Sequence, residues 1–214
     1  MAQWPISSSQ KEERIDFSSK FREKPVTFWL SKVYVNEHRY KFDGKGVISS
    51  YVGTQRTNIP NSVSVVGCIS QPNDDGCNLI RQVQTRIDSQ QYISFLLEVM
   101  SSYPKVEPIT VVHNKYPVYS SLKVTKWIGD NPRMSVLDSW PPASGDLMPI
   151  DSVFSEILTD FDEQEMRVHS EKALYEEIRT TFVSLTEKDG YVKSLISQIP
   201  IKLQTIVLKK GDSL

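Results

Sequence analysis

The 214 residues carry 39% hydrophobic and 24% charged side chains with a net charge of −1, the balance of an ordinary globular chain. No apolar run approaches the roughly 18 residues that span a bilayer, and "MAQWPISSSQKEER" lacks the layout of a secretory signal, so neither a membrane span nor export is expected. Residues 1–60 hold ten Lys/Arg against six Asp/Glu, residues 61–150 seven against eight, and residues 151–214 eight against twelve; a strongly basic domain, the usual footprint of a non-specific DNA binder, is excluded, so any nucleic-acid contact rests on a local patch or a partner.

In chain order, residues 1–25 are polar, Ser-rich and charged and end at Pro25, which predicts a flexible arm. "VTFWLSKVYVNEH" alternates around Val33 and Val35 and predicts a strand. "FDGKG" predicts a turn, since Gly44 and Gly46 tolerate positive φ, and "ISSYVGTQRTNIPNS" a loop. "SVSVVGCIS" is a β-branched strand in which Gly67 marks a bulge or coil. "LIRQVQTRI" reads as a strand or a long loop. "YISFLLEVM", "ITVVHN", "VYSSLKVTKWI" and "RMSVLDSW" read as strands, the last two joined by a tight "GDNP" turn. "DSVFSEILTDF" then places Val153, Phe154, Ile157, Leu158 and Phe161 on one helical face with Asp151 as N-cap. Leu174, Ile178, Phe182 and Leu185 make a second helical stripe. "YVKSLISQI" is a shorter helix stopped by Pro200, and the tail is a strand or packed extension. Strands first and helices after, without βα alternation, predict a mainly β fold, a small barrel with appended helices.

The chemistry that can be read from these residues is sparse. Cys68 and Cys77, with His38, His113 and His169 scattered, show no zinc spacing, so no metal or cofactor is expected. Cys68 lies in a strand whose alternate residues are Val, the setting of a buried thiol, although His113 would be the base of a Cys nucleophile. The carboxylates Asp74, Asp75 and 160–165 fit solvation and helix-end charge better than a metal. No nucleophile elbow, zinc-protease or phosphate-loop motif occurs, so an enzyme is not expected. Binding has more support. Tyr119, Lys123, Lys126 and Trp127, next to the turn that leads to Arg133, put rings beside cations as single strands require; Arg86 and Lys115 are weaker candidates, and Trp127 serves equally well as core. The stripe Leu174, Ile178, Phe182 and Leu185 either docks on the barrel or meets another subunit, and Phe182→Asp is expected to release a partner.

"FWLSKVYVNEH" followed by "IPNSVSVVGCIS" resembles the start of the OB domain in the medium subunit of replication protein A and in the matching CST telomere-capping subunit. The V-x-V-V-G-x-I strand falls on Val63, Val65, Val66, Gly67 and Ile69. "VYSSLKVTKWIGDNPRMSVLDSWPPASGDLMPIDSVFSEILTDF" is similar to that family's last two strands, Pro-containing linker and pairing helix. The resemblance spans about residues 26 to 162. It implies a five-stranded Greek-key OB barrel within residues 26–145, after an arm at 1–25 and before a helical extension at 146–214. It further implies a nuclear, chromosome-end protein that binds single-stranded DNA weakly. Through Phe154, Ile157, Leu158, Phe161 and the second stripe it would pair with a second OB-fold subunit, with no membrane or small-molecule ligand. The alternative is a protein-interaction adaptor without nucleic acid. The acidic "NDDG" loop and the absence of a winged helix depart from the family pattern.

Overall fold

The computed structural model describes residues 5–51, 59–71, 77–84, 86–104, 106–137 and 140–214. The chain opens with α1 (Ser8–Phe21) and α2 (Val26–Leu30), then lays down β1 (Lys32–Phe42), β2 (Ile48–Ser50), β3 (Ser62–Ser70) and β4 (Leu79–Val83). From there helices and strands alternate: α3 (Ser89–Ser101), β5 (Ile109–Val112), α4 (Leu122–Gly129) and β6 (Met134–Val136). Four helices close the chain, α5 (Pro149–Glu163), α6 (Glu171–Thr186), α7 (Tyr191–Ser197) and α8 (Ile199–Leu208).

The strands form one open mixed sheet in the order β4-β3-β1-β5-β6, with β2 paired to the end of β1. β1 is antiparallel to β3 and parallel to β5, and β5 is parallel to β6. This corrects the expected five-stranded OB-fold Greek-key barrel. Parallel neighbours need crossover connections, which α3 and α4 supply, and β4 and β6 remain as edges where a barrel would have closed. β3 is buried on both faces: Val63, Val65 and Ile69 point to one core, Val66 and Cys68 to the other. Such a two-sided strand reads as a continuous apolar run, which is why "SVSVVGCIS" stands out in the sequence.

The smaller core packs α3 and α4 against Val33, Val35, Val66 and Val111. The larger one packs α5 to α8, with Phe17, Phe21 and Trp29 from the first two helices, against Tyr34, Tyr40 and Val65. It draws on residues 17 to 206, so it runs through all three of the segments expected from the sequence as arm, barrel and extension.

Two expected strands are helices. In "YISFLLEVM" the buried residues are Tyr92, Ile93, Phe95, Leu96 and Val99, a 3–4 spacing that winds one face of α3 onto the sheet, and Asp88 and Gln91 form a capping box at its start. In "VYSSLKVTKWI", Val124 with Trp127 and Ile128 turns inward from α4, leaving Lys123 and Lys126 exposed. The segment expected as an arm, residues 1–25, contains α1, capped by Ser7 and Gln10, and α2 takes up "VTFWL" at the start of the segment expected as the first strand. Pro200 sits in the first turn of α8, where its missing N–H costs nothing, so it starts a helix and the tail is not a strand.

Candidate functional site

Three segments far apart in sequence meet at one point. Asn36 lies in the middle of β1, the central strand; Asn114 is the second residue past β5; Asp151 is in the first turn of α5. Asn36 Nδ2 donates to Asp151 Oδ1 at 2.6 Å, and Asn114 Nδ2 donates to Asn36 Oδ1 at 2.9 Å. Tyr116 N–H donates to Asn114 Oδ1 at 3.1 Å, and Glu37 N–H to Asn36 Oδ1 at 2.9 Å. Next to them His113 Nδ1 bonds the Asn114 carbonyl at 2.9 Å.

The local sequence builds this point. Asn36 shares its face of β1 with Tyr34 and Tyr40, toward α5, and is paired across the ladder with Gly67. A Cβ on Gly67 would lie 3.2 Å from Ile150 Cδ1 and 3.3 Å from Phe154 Cζ. The glycine is therefore the gap through which α5 approaches Asn36, in a regular pairing rather than at a bulge. The segment before α5 is clamped by Arg14, fully buried, which forks onto Asp146 at 2.9 and 2.8 Å and also donates to the carbonyls of Ala143 and Gly211. Asp151 is not the N-cap, which is Met148; it turns into the protein.

Burial sets the protonation here. It pushes the Asp151 carboxyl up to about 7, against the opposing pull of the Asn36 hydrogen bond and the charge of Lys202. It lowers the His113 imidazole and brings His38, bonded to Ser50 Oγ at 3.0 Å, down to about 4. Glu37, on the other face of β1, is raised by burial while it accepts from Ile87 N–H and faces Arg86 at 4.0 Å. The point thus offers one carboxyl able to hold or release a proton near neutrality, two carboxamides and a neutral imidazole. Beside it opens a cavity of about 470 Å³ lined by His113, Asn114, Lys115, Thr125, Leu137 and Trp140 among others.

The residues expected to touch nucleic acid are dispersed. Lys115 lines the cavity and pairs with Glu13. Arg86 stacks over Tyr116 near Glu37. Lys123 and Lys126 are on the outer face of α4, and Trp127 is half-buried beneath them. Tyr119 is inside the core, its ring 4.4 Å from that of Tyr92. Arg133 sits at the start of β6, away from Asn114, and donates to the carbonyls of Pro104 and Glu107. The partner stripe is also internal: Phe154, Ile157, Phe161, Leu174, Ile178, Phe182 and Leu185 are buried in the chain's own core, with Leu158 partly buried against it. Cys68 is buried, 3.9 Å from Cys77 Sγ, and burial pushes its thiol up, so it is a packing residue. Asp74, Asp75 and the "NDDG" loop lie outside the described residues. Asn36 and Asn114 escaped sequence reading because a neutral carboxamide carries neither charge nor motif; Asp151 was visible only as a helix-start acid.

An antiparallel β4-β3-β1 half that continues into parallel β5 and β6, with helices on both faces, defines an RNase H-like fold. No family model and no curated protein matches the sequence. Solved structures do match the fold. The catalytic domain of Mos1 mariner transposase superposes with a TM-score of 0.69 at 15% identity over 97% of this chain and 94% of that one. The same catalytic domain solved with Raltegravir and Mn gives 0.72 at 15% identity over 99% of each chain. A pre-cleavage Mos1 transpososome gives 0.74 at 17% identity, covering 100% of this chain and 67% of that one.

These likenesses overturn the resemblance to replication protein A and the CST subunit: the V-x-V-V-G-x-I strand is an inner strand of an open transposase-type sheet. The telomere role, the OB-fold partner, the placement at chromosome ends and the adaptor alternative lose their basis with the barrel. The expectation that the chain is not an enzyme loses its basis as well, because the chain shares its fold with transposase catalytic domains.

Proposed function

We propose that this chain acts on DNA as a transposase-type core, gripping the duplex along the α4 side and presenting a strand to the point where Asn36, Asn114 and Asp151 meet. The observation that carries the reading is the fold likeness over nearly the whole chain to transposase catalytic domains, one of them in a pre-cleavage transpososome. It is supported by where the polar point lies, at the carboxyl end of β5, since ligands of open α/β sheets lodge beyond strand carboxyl ends. Lys123 and Lys126 project from α4, and Lys115 lines the cavity beside the point, while Arg86 lies with Glu37 on the other face of β1. With a net charge of −1, such local cations have to supply the phosphate contacts. In a eukaryotic cell this work belongs to the nucleus, with no tie to chromosome ends.

Fluorescence anisotropy of labelled duplex and single-stranded oligonucleotides, at stepped salt, tests the reading. Binding that weakens linearly on a logarithmic salt scale, and weakens further in Lys123→Glu/Lys126→Glu, is expected. Absence of binding to both DNA forms at low salt overturns it.

A further inference from the structure

One of the matched catalytic domains was solved with Mn, which raises the question whether the residues here fit a divalent ion. Ions of that kind take oxygen ligands, carboxylates among them, and where two are bound the ions themselves lie about 3.5–4 Å apart. Among the described residues, Asp151 is the one carboxylate in the hydrogen-bond network at the junction of β1, β5 and α5. The two carboxamides cannot stand in for the missing ones, because backbone donors fix which way they face. Glu37 N–H requires an acceptor and meets Asn36 Oδ1; Tyr116 N–H requires one and meets Asn114 Oδ1. Each amide is therefore turned so that its NH2 points along the network, that of Asn36 at Asp151 Oδ1 and that of Asn114 at Asn36 Oδ1. An ion approaching Asp151 Oδ1 meets N–H hydrogens, in the positive field of Lys202.

The neighbouring acids are committed elsewhere. Asp146 is forked by Arg14. Glu37 points to the opposite face, toward Ile87 N–H and Arg86. Among the described residues no group of three His, Cys, Asp or Glu is placed to hold a metal.

We propose that Asn36 and Asn114 form a carboxamide lock that closes this transposase-type centre around Asp151 and keeps divalent ions out. The lock ties β1, β5 and α5 together through hydrogen bonds. The inference rests on the fold and the network, not on DNA binding, and a titration without DNA tests it separately. Thermal unfolding of the full chain is followed at fixed pH with increasing Mn2+. The wild type is expected to keep its Tm. Asn36→Asp/Asn114→Asp, which turns donors into carboxylate oxygens, is expected to gain a saturable rise of about 5–10 °C once Mn2+ is about 100-fold above its Kd. If the double variant does not fold, Asn36→Asp alone is read in the same way. A saturable rise in the wild type that Asp151→Ala removes overturns the proposal, and so does a folded variant that gains nothing. A wild-type rise that Asp151→Ala leaves in place originates elsewhere and sides with the lock.

Discussion

Burial keeps the Asp151 carboxyl protonated up to about pH 7, whereas its ordinary value is 3.8. Between those two values the native state holds a proton that the unfolded chain has released, so stability falls as pH rises through this window. Below it the group costs nothing; above it the full penalty of a buried charge applies. A shift of about three pKa units corresponds to a loss on the order of 4 kcal/mol. The Asn36 donor and Lys202 already oppose burial, and Asp146 adds to it. Asp151→Asn keeps an oxygen for Asn36 and removes the charge, so the variant is expected to unfold at higher urea than wild type above pH ~7, with the difference fading toward pH ~4. Urea midpoints at several pH values check this; a constant difference across the range contradicts it. Gly67 is the second residue on which the centre turns. A side chain there meets Ile150 and Phe154 at 3.2 and 3.3 Å and the Leu79 carbonyl oxygen, which is backbone and cannot swing away, at 3.3 Å. Gly67→Val is expected to cost roughly 1–3 kcal/mol as overpacking, read as a lower denaturant midpoint.

The elements divide by how each signals itself. β3 and β5 were legible because their β-branched runs are buried on both faces, and α5 and α6 because their apolar stripes keep a helical period over fifteen and sixteen residues. α4 was misread because it has only eight residues, with the β-branched Val124, Thr125 and Ile128 among them; β-branched side chains favour strands, and tertiary packing overrides that preference here. α3 was misread although Asp88 and Gln91 spell a capping box before the apolar run, a helix-start signal that outranks the run's composition. The stripe of α6, which by sequence suits either the chain's own core or another subunit, packs into the larger core. Phe182 is fully buried between α6 and the rest of the larger core, so Phe182→Asp is expected to unfold the chain rather than release a partner. Placing an unpaired charge there costs several kcal/mol, and the check is loss of the cooperative thermal transition by circular dichroism.

At the scale of the whole molecule, the candidate site was illegible because topology alone makes it. Asn36 and Asp151 are 115 residues apart and Asn36 and Asn114 78 apart; only a sheet with β1 at its centre and parallel β5 beside it brings them together. The same topology explains why the two ends of the chain matter to the middle. Arg14 in α1 bonds Gly211 and Asp212 carbonyls at the C-terminus and Ala143, Ser144 and Asp146 ahead of α5, while Lys11 pairs with Asp212 at the surface. The exposed Lys11 pair is worth little. The buried guanidinium is different, because its removal leaves the Asp146 carboxylate without its ion-pair partner, the Leu214 N–H its one remaining donor among the described residues, and strips the Ala143, Gly211 and Asp212 carbonyls of the guanidinium that they accept from. Arg14→Ala is therefore expected to lower stability by about 3–5 kcal/mol, and Lys11→Ala by under about 1 kcal/mol. The loss has a direction. Asp146 lies five residues before Asp151, so freeing that segment loosens α5 over Asn36, whereas β1 and β3 are held by a nine-pair ladder of their own. Hydrogen exchange on Arg14→Ala is expected to show protection lost first at the start of α5 and in α8, with β1 and β3 keeping theirs. Equal loss across the sheet would mean that the clamp supports the fold as a whole rather than the approach of α5 to the polar centre.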